Sequence, residues 1–209
     1  MRMARIDDVV RGFHPGGERG IRFASLRAES EGRMQASTES NRRDRSRSVE
    51  PVPAGYHTVT PWIIARGAAE LIDFLKEAFK AKEQARVELG DGSIGHAELR
   101  IGDSVVMVFD AKPEWPETPS FLRLYVPDAD AAFERALVAG ASAITEVAEH
   151  SFGDRVGRVR DPWGNLWWLQ SHVRDPSPKE METPSEEHEQ AMQEAMTSLD
   201  RELRARAEK

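Results

Sequence analysis

His96, Glu98 and Arg100 stand at i, i+2 and i+4 within GHAELRI, a stretch whose apolar residues keep a period of two and so read as a strand. Alternation along a strand puts all three side chains on one face, where imidazole, carboxylate and guanidinium could form a hydrogen-bonded set. A histidine titrating near neutral pH is the natural base for removing a proton alpha to a carbonyl, which makes His96 and Glu98 the candidate catalytic pair. The same spacing also suits an ion-paired strand edge. A second charged group, Asp154, Arg155, Arg158 and Arg160 in DRVGRVR, offers charge-assisted hydrogen bonds to an anionic substrate, although alternating arginines equally describe a solvated face. His57 and His150 are isolated in sequence and expected near loops, and His188 is expected in solvent. Three of the five tryptophans fall in DPWGNLWWLQ, where Trp167 and Trp168 are adjacent and therefore point to opposite faces of a strand. One fills core; the other offers a flat apolar surface and an N–H donor to a ligand, or plugs a collapsed cavity.

These residues sit in a chain of 209 residues with 39% apolar and 31% charged content, enough for one folded domain with extensions. Cysteine is absent, which removes disulfides, thiolate metal sites and cysteine nucleophiles. The net charge of −7 argues against a chain-wide attraction to nucleic acid or anionic lipid. No window approaches the roughly 18 uncharged apolar residues of a membrane span, and no secretory signal core is present. A small-molecule partner in the cytoplasm is the expectation, with no nucleic acid and no membrane. There is no P-loop, no G-x-G-x-x-G and no G-x-S-x-G elbow, so nucleotide, dinucleotide, adenosyl-cofactor and hydrolase chemistry lack support and no cofactor is expected.

Three segments organise the chain. Residues 1–50 mix Arg, Ser, Glu and Gly with few apolar residues and read as a disordered extension, too rich in acid for a transit peptide. Residues 51–174 carry dense apolar patterning and form the domain. Residues 175–209 read as a linker, RDPSPKE, and an amphipathic tail helix opened by a Thr183, Pro184, Glu186 capping box. Its stripe of Met192, Met196, Leu199 and Leu203 suits packing on its own domain or on a partner's helix.

The domain repeats itself. TVTPWII (Thr58 to Ile64) alternates as a strand, AAELIDFLKEAF is helical, and KEQARVEL, GHAELRI and SVVMVF are strands; FLRLYV, DADAAFERALVAG, SAITEV, DRVGRVR and NLWWLQ repeat that order. Asp128 caps the second helix and Gly140 stops it. Asp161, Pro162 and Gly164 occupy the i, i+1 and i+3 places a type I turn favours, before the last strand.

Two tandem βαβββ units with a D-P-x-G hairpin resemble the vicinal oxygen chelate superfamily of glyoxalases, bleomycin-binding proteins and dioxygenases. GSIGHAELRIGDSVVMVFD and FGDRVGRVRDPWGNLWWLQSH are similar to its PhnB-like branch. The resemblance covers about residues 56–174. It implies an α+β fold in which the two units form an open barrel-like cleft, helices on the convex side, ligand on the concave side, and a homodimer. In metal-dependent members four ligands come from the first and last strand of each unit. Carried onto this sequence, those places fall on Thr60, Val106 or Met107, Phe121 and Trp168, a set with no imidazole or carboxylate, so no metal is expected. The implied cleft is lined instead by Thr60, Trp62, Met107, Phe121, Arg123, Tyr125, Trp168 and Gln170, with Thr60 and Trp62 beside Arg123 and Tyr125. The opposite parity, Val59, Ile63, Leu122, Leu124 and Val126, faces the helices. A metal-independent small-molecule binder for a planar or aromatic ligand is the leading expectation. The alternative is an isomerase or lyase with His96 as base or as a relocated metal ligand, drawing on Glu98.

Overall fold

Pro61 decides where the first strand begins. In the computed structural model, which describes residues 49–208, β1 covers Trp62–Ala65 only. A proline has no N–H to give to a ladder, so the strand expected from Thr58 is shortened. Pro61 still accepts from the Met107 N–H at 2.9 Å. Val59, expected to face the helices, is 81% exposed. The extension expected over residues 1–50 lies outside the described residues save its last two.

Helix α1 (Ala68–Phe79) buries Leu71, Ile72, Phe74, Leu75 and Ala78 at helical spacing. Gly67 has no side chain to cap it, and Asp110 does so from the end of β4, its Oδ1 accepting from the Gly67 and Ala68 N–H groups at 2.9 Å each. Then come β2 (Lys82–Glu88), β3 (Ile94–Ile101) and β4 (Ser104–Asp110). The second half repeats the set as β5 (Phe121–Tyr125), α2 (Ala129–Val138), β6 (Ser142–Glu149), β7 (Asp154–Arg160) and β8 (Leu166–His172). Strand order is β1-β4-β3-β2 in one sheet and β5-β8-β7-β6 in the other, with the first pair of each parallel and the rest antiparallel. The protein is α+β with a duplicated unit, and neither sheet closes on itself. Asp128 caps α2 by accepting from Ala131 N–H at 2.9 Å.

Leu122, Leu124 and Val126 pack with Ile63 against one core shared by both units. Helix α1 meets α2, where Arg135 Nε donates to the Ala78 carbonyl at 3.1 Å, and Phe79 of α1 lies 4.8 Å from the Trp167 ring of β8. Each sheet therefore gives its helix-bearing face to the common core and turns its other, open face away from it. The D-P-W-G hairpin pins β8 in register: Gly164 N–H donates to the Asp161 carbonyl at 3.0 Å, and Gly164 holds φ +86°. The buried Asp161 carboxylate accepts from Trp163 N, Asn165 N, Asn165 Nδ2 and Trp167 Nε1 at 2.8–3.0 Å. Trp167 is thus more than core filler.

The tail departs from expectation in three ways. RDPSPKE does not simply break the chain: Ser177 and Glu180 form a capping box that opens a short helix, α3 (Pro178–Glu182). Thr183 ends α3, and the following helix α4 (Glu186–Ala207) is capped by Ser185, whose hydroxyl accepts from His188 N–H at 3.4 Å, in place of the expected Thr183 box. Finally, α4 takes one of its two expected arrangements, packing on its own domain, but it does so through Ala195, Ser198 and Glu202, while Met192, Met196 and Leu203 of the apolar stripe stay exposed. Among the described residues no helix is long and apolar enough to cross a membrane.

Candidate functional site

Register fixes what stands on the open face of the second sheet. Arg123, Trp168, Arg158 and Thr145 are successive partners across β5, β8, β7 and β6, and Tyr125 and Gln170 are partners one step along. Their parity is opposite to that of Trp167 and Leu169, which are fully buried in the core. Helix α4 crosses this face. Arg158 Nη1 donates to the Ala195 carbonyl at 2.7 Å and to Thr145 Oγ1 at 3.1 Å, Thr145 and Ser198 hydroxyls lie 2.6 Å apart, and Arg160 pairs with Glu202 at 2.8 Å.

Between α4 and the sheet lies a cavity of about 470 Å³ lined by Arg123, Tyr125, Trp168 and Gln170, and by His150, Phe152, Asp154, Arg158, His172, Met192, Ala195 and Met196. The indole of Trp168 is flanked by the guanidinium carbons of Arg158 at 3.9 Å and Arg123 at 4.3 Å from its centre. Those contacts and Phe121, stacked at 6.2 Å, occupy much of the ring surface expected to meet a ligand. Burial, and then the neighbouring Arg123 charge, push the Arg158 guanidinium below its usual range. Burial likewise lowers His150, whose ring is stacked on Phe152 at 5.2 Å. Asp154 is held by His172 and by the Gln170 amide, and its hydrogen bond, with that of Asp175, raises His172. A larger cavity of 840 Å³ lies by the D-P-W-G hairpin, but its Arg160 and Glu202 already satisfy each other.

The other candidates stand on the open face of the first sheet. Trp62, Met107 and Glu98 are partners across β1, β4 and β3, and the Trp62 ring lies 5.6 Å from that of His96. His96 Nε2 and Glu98 Oε1 are 3.1 Å apart, and Tyr56 donates its hydroxyl to the other Glu98 oxygen. That bond is the main reason Tyr56 is pushed up to about 12. Burial would raise Glu98, but the Tyr56 and His96 bonds outweigh it and hold the carboxyl below the usual range. Arg100 turns away from the pair, donating to the Asp103 and Gly55 carbonyls at 2.9 and 3.0 Å. Thr60 precedes β1 and donates to the His57 carbonyl at 3.2 Å.

Within one chain, Trp62 stands on the first sheet with Thr60 just before it, and Arg123 and Tyr125 stand on the second. Arg123, Tyr125, Trp168 and Gln170 come together under α4; Trp62, Met107, His96 and Glu98 come together on the other sheet; Thr60 and Phe121 line neither. The arginines of β7 also part company, since Arg155 reaches the α2 side to pair with Asp130 at 2.6 Å whereas Arg158 and Arg160 lie under α4. Sequence reasoning missed Tyr56, which acts across 42 residues, and it set aside His150 as isolated.

Two βαβββ units of identical strand order, joined through their helices, with open faces carrying the polar and aromatic groups, define a tandem βαβββ protein. Residues 56–169, more than half of the chain, match the family described as the Glyoxalase/Bleomycin resistance protein/Dioxygenase superfamily, and the chain belongs to it. It is 38% identical over 139 residues to an uncharacterised protein of Mycobacterium bovis, covering 61% of this chain and 88% of that one. Among solved structures, TioX from Micromonospora sp. ML1 is similar at 26% identity and a TM-score of 0.48, covering 55% of this chain and 98% of its own. The fosfomycin resistance protein FosX from Mesorhizobium loti is similar at 16% identity and a TM-score of 0.42, covering 61% and 98%. The superfamily implies a divalent ion in its metal-dependent members, and the four corresponding places do not fit one. As the resemblance carries them over, they are Thr60, whose hydroxyl is engaged with a carbonyl, Val106 or Met107, Phe121 and Trp168. Among the described residues, no three His, Asp or Glu side chains converge as metal ligands would.

Proposed function

We propose that the protein binds a planar or aromatic small molecule without a metal ion, in the cavity beneath α4, and that it acts as a cytoplasmic homodimer of the PhnB-like branch. The observation that carries this reading is the gathering of Arg123, Tyr125, Trp168 and Gln170 around one 470 Å³ space, a volume within the range of ligand pockets. Members of the superfamily commonly bind small molecules and form dimers, which agrees with it. The test is native mass spectrometry of protein purified without chelator. A dimer carrying an organic mass that is lost in Trp168→Ala supports the reading; stoichiometric zinc, nickel or iron overturns it.

One observation favours a second reading. The Tyr56–Glu98–His96 chain on the first sheet resembles an oriented base, in which Glu98 fixes the His96 ring for proton abstraction in an isomerase or lyase. A His96→Ala variant that binds a discovered substrate and turns it over at the parental rate removes this reading.

A further inference from the structure

Five buried side-chain nitrogen or oxygen atoms have no hydrogen-bond partner among the described residues, and four of them belong to the wall of the cavity beneath α4: His150 Nδ1, Arg158 Nε, Trp168 Nε1 and Gln170 Oε1. Buried polar groups are ordinarily paired, so a concentration of orphans around one space marks it as a polar site that a ligand can complete in part. Arg158 Nε and Trp168 Nε1 are donors only and call for acceptors. The charge balance points the same way. Arg158, 2% exposed, bonds only to a hydroxyl and a carbonyl, and Arg123 forms no ion pair among the described residues. The one carboxylate on the wall, Asp154, is engaged by His172 and the Gln170 amide and pairs with neither arginine. Two guanidiniums are left without a counter-charge.

We propose that the ligand of this cavity is a flat carboxylic acid, its carboxylate received by the exposed Arg123 guanidinium, in the positive field that Arg123 shares with Arg158 across the Trp168 ring, and its body held against Tyr125, Phe152 and the two methionines. This rests on the binding reading above and adds the charge of the ligand to it. Met192 and Met196, unbranched and exposed at 38% and 56%, are the side chains that yield to admit it.

The experiment is calorimetric titration of the full chain with 2-naphthoate and with its uncharged analogue 2-naphthamide. Charge-assisted bonds to a carboxylate are about twice as strong as neutral ones, so the acid binds about tenfold more tightly or better. Because Arg158 is buried and bonded to α4, the variant of choice is Arg123→Gln, at an exposed position, and it brings the ratio of the two affinities toward one. Equal affinities in the parent protein, or a ratio unchanged in Arg123→Gln, overturn the carboxylate assignment and leave the planar-ligand reading standing. Failure of both compounds to bind at millimolar concentration overturns the two together.

Discussion

Replacing Asp161 with alanine tests how the D-P-W-G hairpin holds the last strand. Asp161 is 2% exposed and accepts four hydrogen bonds. Burial pushes its carboxyl above the usual range while the donors from Trp167, Asn165 and Trp163 pull it back, so this ion is tolerated only because it is so fully engaged. In Asp161→Ala three enclosed donors, Asn165 N, Asn165 Nδ2 and Trp167 Nε1, lose their acceptor. At roughly 1 to 1.5 kcal/mol for each buried donor left unmade, the loss is about 4 kcal/mol. With a urea slope of about 2 kcal/mol/M for a domain of this size, the midpoint of unfolding falls by about 2 M. Tryptophan fluorescence during urea unfolding reads it, and Asp161→Asn, which keeps one of the two oxygens, loses about half as much. A midpoint lowered by less than about 0.5 M in Asp161→Ala would refute the reasoning, because the hairpin would then be held by its turn residues alone.

Two further outcomes follow from the tail and the cavity. Glu202→Ala leaves Arg160 and Arg206 without their shared partner and loosens α4 by about 1–2 kcal/mol, part of it screened because both arginines are partly exposed; trypsin then cuts within α4 about tenfold faster, and an unchanged rate would show that the ion pairs do not hold the helix. His172 is raised above its ordinary 6.5 by Asp154 and Asp175, so the stability it contributes is complete below pH 6.5 and is lost as pH rises through its folded value; the difference in melting temperature between parent and His172→Gln therefore shrinks from pH 6 to pH 9, and a difference that grows instead contradicts the pairing.

The repeat, the eight strands and both domain helices were legible because period-two and helical apolar patterns are local, and Asp128, Gly140 and Asp161-Pro-x-Gly carry their turn chemistry in adjacent residues. Parity within each strand was legible for the same reason, which is why Trp167 and Trp168 separate as expected. Relations between strands far apart were not. Periodicity says which face Trp62 and Arg123 occupy, yet nothing local says that the two open faces turn away from one shared core. The capping of α1 by Asp110 and the bond from Tyr56 to Glu98 are equally long-range. In the tail, the apolar stripe misled because Ala195, Ser198 and Glu202, also spaced three and four apart, fit closely over the Arg158 and Arg160 guanidiniums, and small or oppositely charged side chains suit that surface better than methionine.

The duplicated unit is therefore not used twice in the same way. One copy wears α4 across its sheet, whereas the other leaves the Trp62 ring half exposed to solvent. A repeat that is symmetrical in its backbone thus has unequal halves, and on the proposed binding reading the expected stoichiometry is one equivalent per chain, not two.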